Sequence, residues 1–246
     1  MADDFLLAVP VFNEETHLSG VLREARRYAD RILVIDDGST DATPGLLARE
    51  GVSAIVRHRE NLGYGASLAS AFQYARRHGY RWLITMDCDE QHEPSHIPAF
   101  KSLAETGEYD LISGSRYLQS SERVSEPPAE RRAINGRITR MLNERLGLGI
   151  TDAFCGFKAY RVCTLDRFDI TVPGYAMPLQ FWVQAWRAGL RITELPVRLI
   201  YNDPNRHFGG VLDDPASRYL HYLEVFTTEL ESGDAAPAPS QCRAAG

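Results

Sequence analysis

Residues 31–43 read RILVIDDGSTDAT, and this stretch decides the fold. Arg31–Ile35 supplies a short apolar run of the kind that forms a strand buried on both faces. The run breaks at Asp36-Asp37-Gly38-Ser39, and Thr40 or Asp41 then offers an oxygen to cap a helix that Gly51 ends. The same strand–turn–helix pattern surrounds it. Upstream, Phe5–Val11 reads as a buried strand, and Glu14–Ala29 as a helix with Leu18, Val21, Leu22 and Ala25 at helical spacing. Downstream, the strands Ser53–Val56, Trp82–Met86 and Asp110–Ser113 alternate with the helices Gly65–Arg77 and Pro94–Glu105. This alternation predicts an α/β fold with a mostly parallel sheet and helices on both faces. Ligands of such sheets sit outside the carboxyl ends of the strands. Asp36-Asp37 and Asp87/Asp89 both fall at such ends, so they are expected to share one crevice.

The rhythm changes after residue 117. Leu118–Ala129 is polar and reads as a mobile loop. Glu130–Leu146 is amphipathic, with Ile134, Ile138, Met141, Leu142 and Leu146 in one stripe and Arg131, Arg132, Arg137, Arg140 and Arg145 over much of the rest. Phe154–Tyr160 reads as a returning strand and Gln180–Ala188 as a helix. Ile192–Tyr201 reads as a strand that Pro196 assigns to an edge or a bulge, and Ser217–Glu229 as a last helix. Residues 1–231 are expected to form one domain with an acceptor-side elaboration at about 118–147. The tail from Ser232 has almost nothing to bury and is expected to be disordered.

Apolar residues make up 44% of the 246 and charged residues 24%, which suits an ordinary globular core. The formal charge of -6 argues against nucleic acid as a partner, so any anion site is a local cluster. Cys88, Cys155, Cys163 and Cys242 form no CxxC pair, and reduced thiols are expected. No apolar run reaches the roughly 18 residues of a membrane span. The acidic start lacks the features of a secretory signal, so a cytoplasmic location is expected.

The acidic clusters carry the chemistry. In Asp87-Cys88-Asp89-Glu90-Gln91, alternation along an extended chain puts Asp87, Asp89 and Gln91 on one side. Two carboxylates and an amide oxygen form a hard, oxygen-only set that suits Mg²⁺ or Mn²⁺. A nucleotide diphosphate leaving group needs such a cation as charge builds on its oxygen. An isolated Asp-x-Asp is more often a solvated turn, but its place at a buried strand end, opposite a second acidic cluster, favours the cation site. Asp36 and Asp37 suit base N–H or ribose hydroxyl groups, with Gly38 letting the backbone approach a ligand; a helix-initiating turn is the plainer reading. Asn61-Leu62-Gly63-Tyr64-Gly65-Ala66 either greets a phosphate with backbone N–H groups or is a simple turn. It lacks the dinucleotide fingerprint, since position 68 is Leu. Arg116, Arg131 and Arg132 flank the polar loop and suit a second anionic group, Arg116 best because it follows a buried strand. The histidines share no persuasive ligand spacing, although His92 is nearest the acidic cluster. Trp82 and Trp186 read as core, and Trp182 has no assignment.

Together these pieces resemble glycosyltransferase family 2, and within it the polyprenyl-phosphate (dolichol-phosphate) mannosyl- and glucosyltransferases. The matching segments are VPVFNEE (9–15), VIDDGSTDAT (34–43), RHRENLGYGASL (57–68), MDCDEQHEP (86–94), ISGSRY (112–117), DAFCGFKAYR (152–161) and ELPVRL (194–199). They follow the family's order over about residues 5–201. The resemblance implies a Rossmann-like GT-A fold and inversion at the anomeric carbon by direct displacement. It implies Pro10, Glu14, Asp36 and Asp37 near the nucleoside, and Asp87, Asp89 and Gln91 at the metal and diphosphate. It also implies Arg116 and Arg131 near an acceptor phosphate. The donor is expected to be GDP-mannose or UDP-glucose. A phosphate acceptor is already largely dianionic at neutral pH and needs no base; a hydroxyl acceptor needs one, with Glu90, His92 or Asp152 as candidates.

The departures fall on the acceptor side. Asp152-Ala-Phe-Cys-Gly-Phe-Lys158 stands where the family often has Asp-Pro-Thr-Ser-Gly-Phe-Arg. Asn135 stands where a serine commonly follows the acceptor-loop arginine. Residues 205–214, NRHFGGVLDD, replace a stretch with Gly-x-Ser-Lys, so Asp213 and Asp214 add negative charge. Two rival readings therefore stand beside the polyprenyl phosphate: a soluble glycosyltransferase with a hydroxyl acceptor, and a non-catalytic nucleotide-sugar-binding subunit. A lipid acceptor would be met through peripheral membrane contact, with the 130–146 helix at the interface, or through a membrane partner subunit.

Overall fold

The computed structural model describes residues 4–119, 121, 125–200 and 210–233. The strands are β1 (Phe5–Val11), β2 (Ile32–Asp36), β3 (Ala54–Arg57), β4 (Trp82–Thr85), β5 (Leu111–Ser115), β6 (Lys158–Arg161) and β7 (Ile192–Pro196). The helices are α1 (Leu18–Ala25), α2 (Thr43–Glu50), α3 (Tyr64–Arg77), α4 (Ile97–Glu105), α5 (Ala129–Leu146), α6 (Met177–Arg187) and α7 (Pro215–Glu231).

The seven strands form one sheet in the order β3-β2-β1-β4-β6-β5-β7. β6 is antiparallel to both neighbours and every other pairing is parallel. Successive residues of β1 face opposite sides of the sheet. Leu6 and Ala8 join α3, α5, α6 and α7 in one core layer, and Leu7, Val9 and Val11 join α1 and α4 in the other. Burial on both faces is why these strands read as unbroken apolar runs. At the start of β5, Asp110 takes both Arg191 (2.9 Å) and Arg161 (3.1 Å), which fastens β5 to its two neighbours.

Several boundaries differ from expectation for identifiable reasons. α1 starts at Leu18 rather than Glu14 because residues 13–15 are tied across to residues 39–43. Asn13 N–H donates to Ser39 Oγ (3.0 Å), Glu14 N–H to Thr43 Oγ1 (2.9 Å) and Glu15 N–H to Asp41 Oδ2 (3.1 Å). β7 is an edge strand and stops at Pro196, which has no N–H to extend it. α6 starts earlier than expected, with Pro178 in its first turn. The α5 stripe packs on the core rather than standing free, and it buries Asn135 and Thr139 along with Ile134, Ile138, Leu142 and Leu146. Trp82 is core as expected. Trp186 is 38% exposed, which corrects its assignment to the core, and Trp182 is fully buried with Nε1–H donating to the Ala153 carbonyl (2.9 Å). Cys88 and Cys155 are free and buried, whereas Cys163 is disulfide-bonded, contrary to the expectation of reduced thiols. Asp214 is not loose acceptor-side charge: it caps α7 by accepting from Ser217 N–H (2.7 Å). Residues 201–209, and the tail beyond residue 233, lie outside the described residues. Among the described residues no helix is long and apolar enough to cross a membrane.

Candidate active site

The sheet order reverses at β1. The chain runs outward from β1 to β2 and β3, then returns to place β4 on the other side. Such a switch point leaves a crevice outside the carboxyl ends of the strands. Here the crevice is a cleft of about 850 Å³. Pro10, Glu14, Asp37, Asp87, Asp89, Gln91, Arg116 and Arg131 all line it. Of the residues the sequence singles out, Asp36 is turned elsewhere: it is buried, accepts from Ser39 N–H (3.0 Å) and faces Arg57 Nε (3.2 Å).

Asp37 organises the neighbouring turn. It accepts from Leu62 N–H (2.9 Å) and Gly63 N–H (2.8 Å), and its Oδ1 lies 2.6 Å from His58 Nδ1, whose other nitrogen meets Ser70 Oγ at 2.8 Å. A carboxylate has about four acceptor positions, so one remains for a ligand in the cleft. Of the two readings open for each glycine turn, the hydrogen bonds and packing support the plainer one. The glycine-rich turn does not hold backbone donors ready for phosphate, because Leu62 and Gly63 donate to Asp37 while Gly65 and Ala66 donate to the Pro173 carbonyl. Gly38 serves the fold rather than a ligand: it sits at φ +71°, and a Cβ there would lie 2.3 Å from the Glu60 carbonyl carbon.

The acidic motif also reaches the cleft differently than alternation suggests. β4 stops at Thr85, and residues 86–93 form a turn with Glu90 at φ 59°. Asp89 Oδ1 accepts from Gln91 N–H (3.1 Å), which folds these two together. Asp87 is braced from behind by the backbone approaching β6. A Cβ on Gly156 would stand 2.5 and 2.7 Å from the Asp87 carboxylate oxygens and 2.7 Å from the Tyr64 hydroxyl. Among the described residues no three His, Cys, Asp or Glu side chains gather into a self-sufficient metal site. Two carboxylates and the Gln91 amide oxygen, all facing a cleft, instead suit a cation such as Mg²⁺ or Mn²⁺ that takes its remaining ligands from phosphate and water. Gly156→Ala is expected to displace the Asp87 carboxylate and lower transfer by up to about 100-fold. Rates measured across a Mn²⁺ titration check this, since a displaced ligand also raises the Mn²⁺ concentration needed for half-maximal rate.

His92 stands behind Asp87. Burial pulls its imidazole down, but the Asp87 carboxylate, with Cys155 and then Asp89 adding to it, outweighs this, and it is raised to about 9. Its Nδ1 nevertheless accepts from Asp87 N–H (3.1 Å), which requires the neutral ring. A cation on these carboxylates would offset the charge that favours the imidazolium and leave the ring neutral.

Across the cleft, Arg116 follows β5 and forks onto Asp152, with Nε to Oδ2 at 2.7 Å and Nη2 to Oδ1 at 3.0 Å. Asp152 is fully buried. Burial alone would raise its carboxyl, yet Arg116 holds it well below the usual carboxylate range. Asp152 is therefore withdrawn as a general base. His92 has both ring nitrogens engaged, the second facing Cys155 Sγ at 3.7 Å, and Glu90 turns toward His17 at 3.6 Å. Arg218 is a residue the sequence reading missed. It is 2% exposed, lines the cleft, and donates to Glu130 Oε2 (2.6 Å) and the Leu212 carbonyl (2.9 Å). The signal was present: Arg218, Tyr222 and Phe226 fall on one face at four-residue spacing, and all three are buried. Lys158 was also missed. It is buried, donates to Ser113 Oγ (2.6 Å) and lies 4.9 Å from the Trp182 ring, and burial pushes its ammonium below the ordinary value.

The family model described as glycosyl transferase family 2 matches residues 7–167. This chain belongs to that family. The family 2 relatives include undecaprenyl-phosphate mannosyltransferase of Micrococcus luteus, 30% identical over 221 residues that cover 85% of this chain and 89% of the relative. Polyprenol monophosphomannose synthase of Mycolicibacterium smegmatis is 29% identical over 203 residues, covering 78% of this chain and 76% of the relative. Among solved structures, glucosyl-3-phosphoglycerate synthase from Mycobacterium tuberculosis, crystallised with Mg²⁺ and uridine diphosphate, matches with a TM-score of 0.72 at 19% identity. The match covers 95% of this chain and 81% of that one, and it shows the shared GT-A fold. The family 2 chain is thus a glycosyltransferase of mostly parallel α/β architecture.

Proposed function

We propose that this enzyme moves a hexose from a nucleotide-diphosphate sugar, GDP-mannose or UDP-glucose, to a polyprenyl phosphate with inversion. One observation carries the reading: a single cleft joins an acidic end to a basic and apolar end. Asp87, Asp89 and Gln91 lie beyond β4, and Arg116 lies beyond β5, two strands across the sheet, or roughly 10 Å at the usual strand spacing. Arg131 and Arg218 share the Arg116 end with Ile134, Phe154, Leu199 and Tyr222. A lipid phosphate presents that combination of anion and hydrocarbon. Of the two relatives named above, one is by its name a mannosyltransferase of undecaprenyl phosphate and the other makes polyprenol monophosphomannose.

In this reading Pro10, Glu14 and Asp37 receive the nucleoside, and Asp36 supports the turn that carries Asp37. Asp87, Asp89 and Gln91 hold Mg²⁺ or Mn²⁺, which would neutralise charge on the departing diphosphate. Arg116 and Arg131 hold the acceptor phosphate in line with the anomeric carbon, setting its orientation against the repulsion of two phosphate groups. The attacking phosphate oxygen is already ionised near neutral pH, which agrees with a cleft where each sequence-nominated base is engaged. The exposed side of α5 carries Arg132, Arg137, Arg140 and Arg145, a surface suited to anionic headgroups at a cytoplasmic membrane face. Incubation with labelled donor, Mn²⁺ and a polyprenyl phosphate is expected to move label into organic solvent. Label that stays in the aqueous phase, on a product formed from a hydroxyl acceptor, would overturn the lipid acceptor.

A further inference from the structure

Arg116 and Arg131 come from different elements, β5 and α5, so something must set the gap between them. We infer that Asn135 is the positioning residue that fixes these two arginines as one phosphate clamp; the inference rests on the acceptor-phosphate reading above. Asn135 is buried, one helical turn beyond Arg131 and on the same side of α5. Its Nδ2 donates to Asp152 Oδ1 (2.9 Å), the oxygen that also takes Arg116 Nη2 (3.0 Å). Its Oδ1 accepts from Thr139 Oγ1 (3.0 Å), and Thr139 Oγ1 in turn accepts from Ala153 N–H (3.2 Å).

Two consecutive turns of α5 are therefore bonded to the segment that holds Arg116. Asp152 is saturated: Arg116 N–H and Nε reach Oδ2, while Arg116 Nη2, Asn135 and Phe154 N–H reach Oδ1. A saturated buried carboxylate has one geometry, so the guanidinium it carries has one orientation. Arg116 Nη1 takes no part in the fork and is available to a ligand. The Asn135 side chain spans the gap from the α5 backbone to Asp152. An amide does so without adding a second negative charge beside Asp152. Asn135, which itself lines the cleft, thus acts through Asp152 and the α5 backbone.

The test uses octyl phosphate, below its micelle concentration, as a soluble phosphate monoester, with GDP and UDP as donor-side probes, each titrated calorimetrically into the full chain. Asn135→Ala is expected to weaken octyl phosphate about tenfold, the scale of one lost buried hydrogen bond, with nucleotide affinity unchanged. Thr139→Val keeps the shape of the side chain and is expected to show the same selectivity at smaller size. The Asn135→Ala/Thr139→Val pair should lose less than the sum of the single effects, because both act through one link. Octyl phosphate binding that survives Asn135→Ala at wild-type strength overturns the inference and leaves the acceptor-phosphate reading standing. Equal loss of octyl phosphate and nucleotide in both variants shows a merely structural role and overturns it as well. Failure of the wild-type chain to bind octyl phosphate sinks the acceptor-phosphate reading, and the clamp with it.

Discussion

Asp89→Ala should reduce sugar transfer on the order of 10³-fold while leaving the fold intact. The size follows from the role. Displacement of a nucleotide diphosphate places charge on the leaving oxygen, and two carboxylates are few enough that losing one weakens cation binding severely. The fold is spared because Asp89 lies in a turn lining the cleft, where it accepts from Gln91 N–H, rather than in the core. Thermal unfolding within a degree or two of wild type, together with lost turnover at saturating Mn²⁺, is the expected pair of observations. Wild-type turnover in Asp89→Ala would remove the cation from the mechanism. Asp89→Asn offers a milder comparison, since the amide keeps the Gln91 bond but donates a weaker, neutral oxygen.

Asp152→Ala should act on both stability and turnover. It removes the partner of the Arg116 guanidinium, which is 16% exposed at the cleft wall, so the cost falls below the roughly 3–5 kcal/mol of breaking a fully buried pair. The midpoint of urea unfolding should fall accordingly, and the acceptor KM should rise steeply because Arg116 loses its only fork. Acid is a poor substitute for the mutation. The folded Asp152 carboxyl lies below its unfolded value of about 4. Its contribution to stability is therefore fully present above that value and is lost progressively as pH falls from there through the lower, folded one. The wild-type pair should survive pH 4 in urea titrations. A loss of this stability between pH 5 and 4 would show that Arg116 does not hold the charge.

The parallel sheet was legible because its strands are apolar on both faces and its turns are marked by glycine and acid. The meeting of Asp37 with Asp87 in one cleft followed from the rule that ligands sit outside the carboxyl ends of the strands. Three things were not legible. The first was the local backbone of the acidic motif: alternation put Asp87, Asp89 and Gln91 on one side, and a turn with Glu90 at positive φ delivers them instead. The second was the engagement of donors: the N–H groups of the 61–66 turn find acceptors in Asp37 and Pro173, contacts between distant residues that no local pattern announces. The third was the meaning of buried charge. Lys158 looks like a surface residue by type, and only the packing of β6 puts it inside; Arg218 has the same look, and only its four-residue spacing with Tyr222 and Phe226 speaks against it.

β6 runs against its neighbours, so the chain that leads into it, residues 151–157, arrives at the end of the sheet where the cleft lies. Within that one short segment Asp152 secures Arg116 and Gly156 abuts Asp87. The spacing between the place where a sugar is released and the place where it is received is therefore written into covalent geometry, not left to the relative motion of two lobes. A change of acceptor could evolve in α5 and the loop before it without retuning the donor half, whereas a single inserted residue between 152 and 156 would throw both ends out of gauge at once.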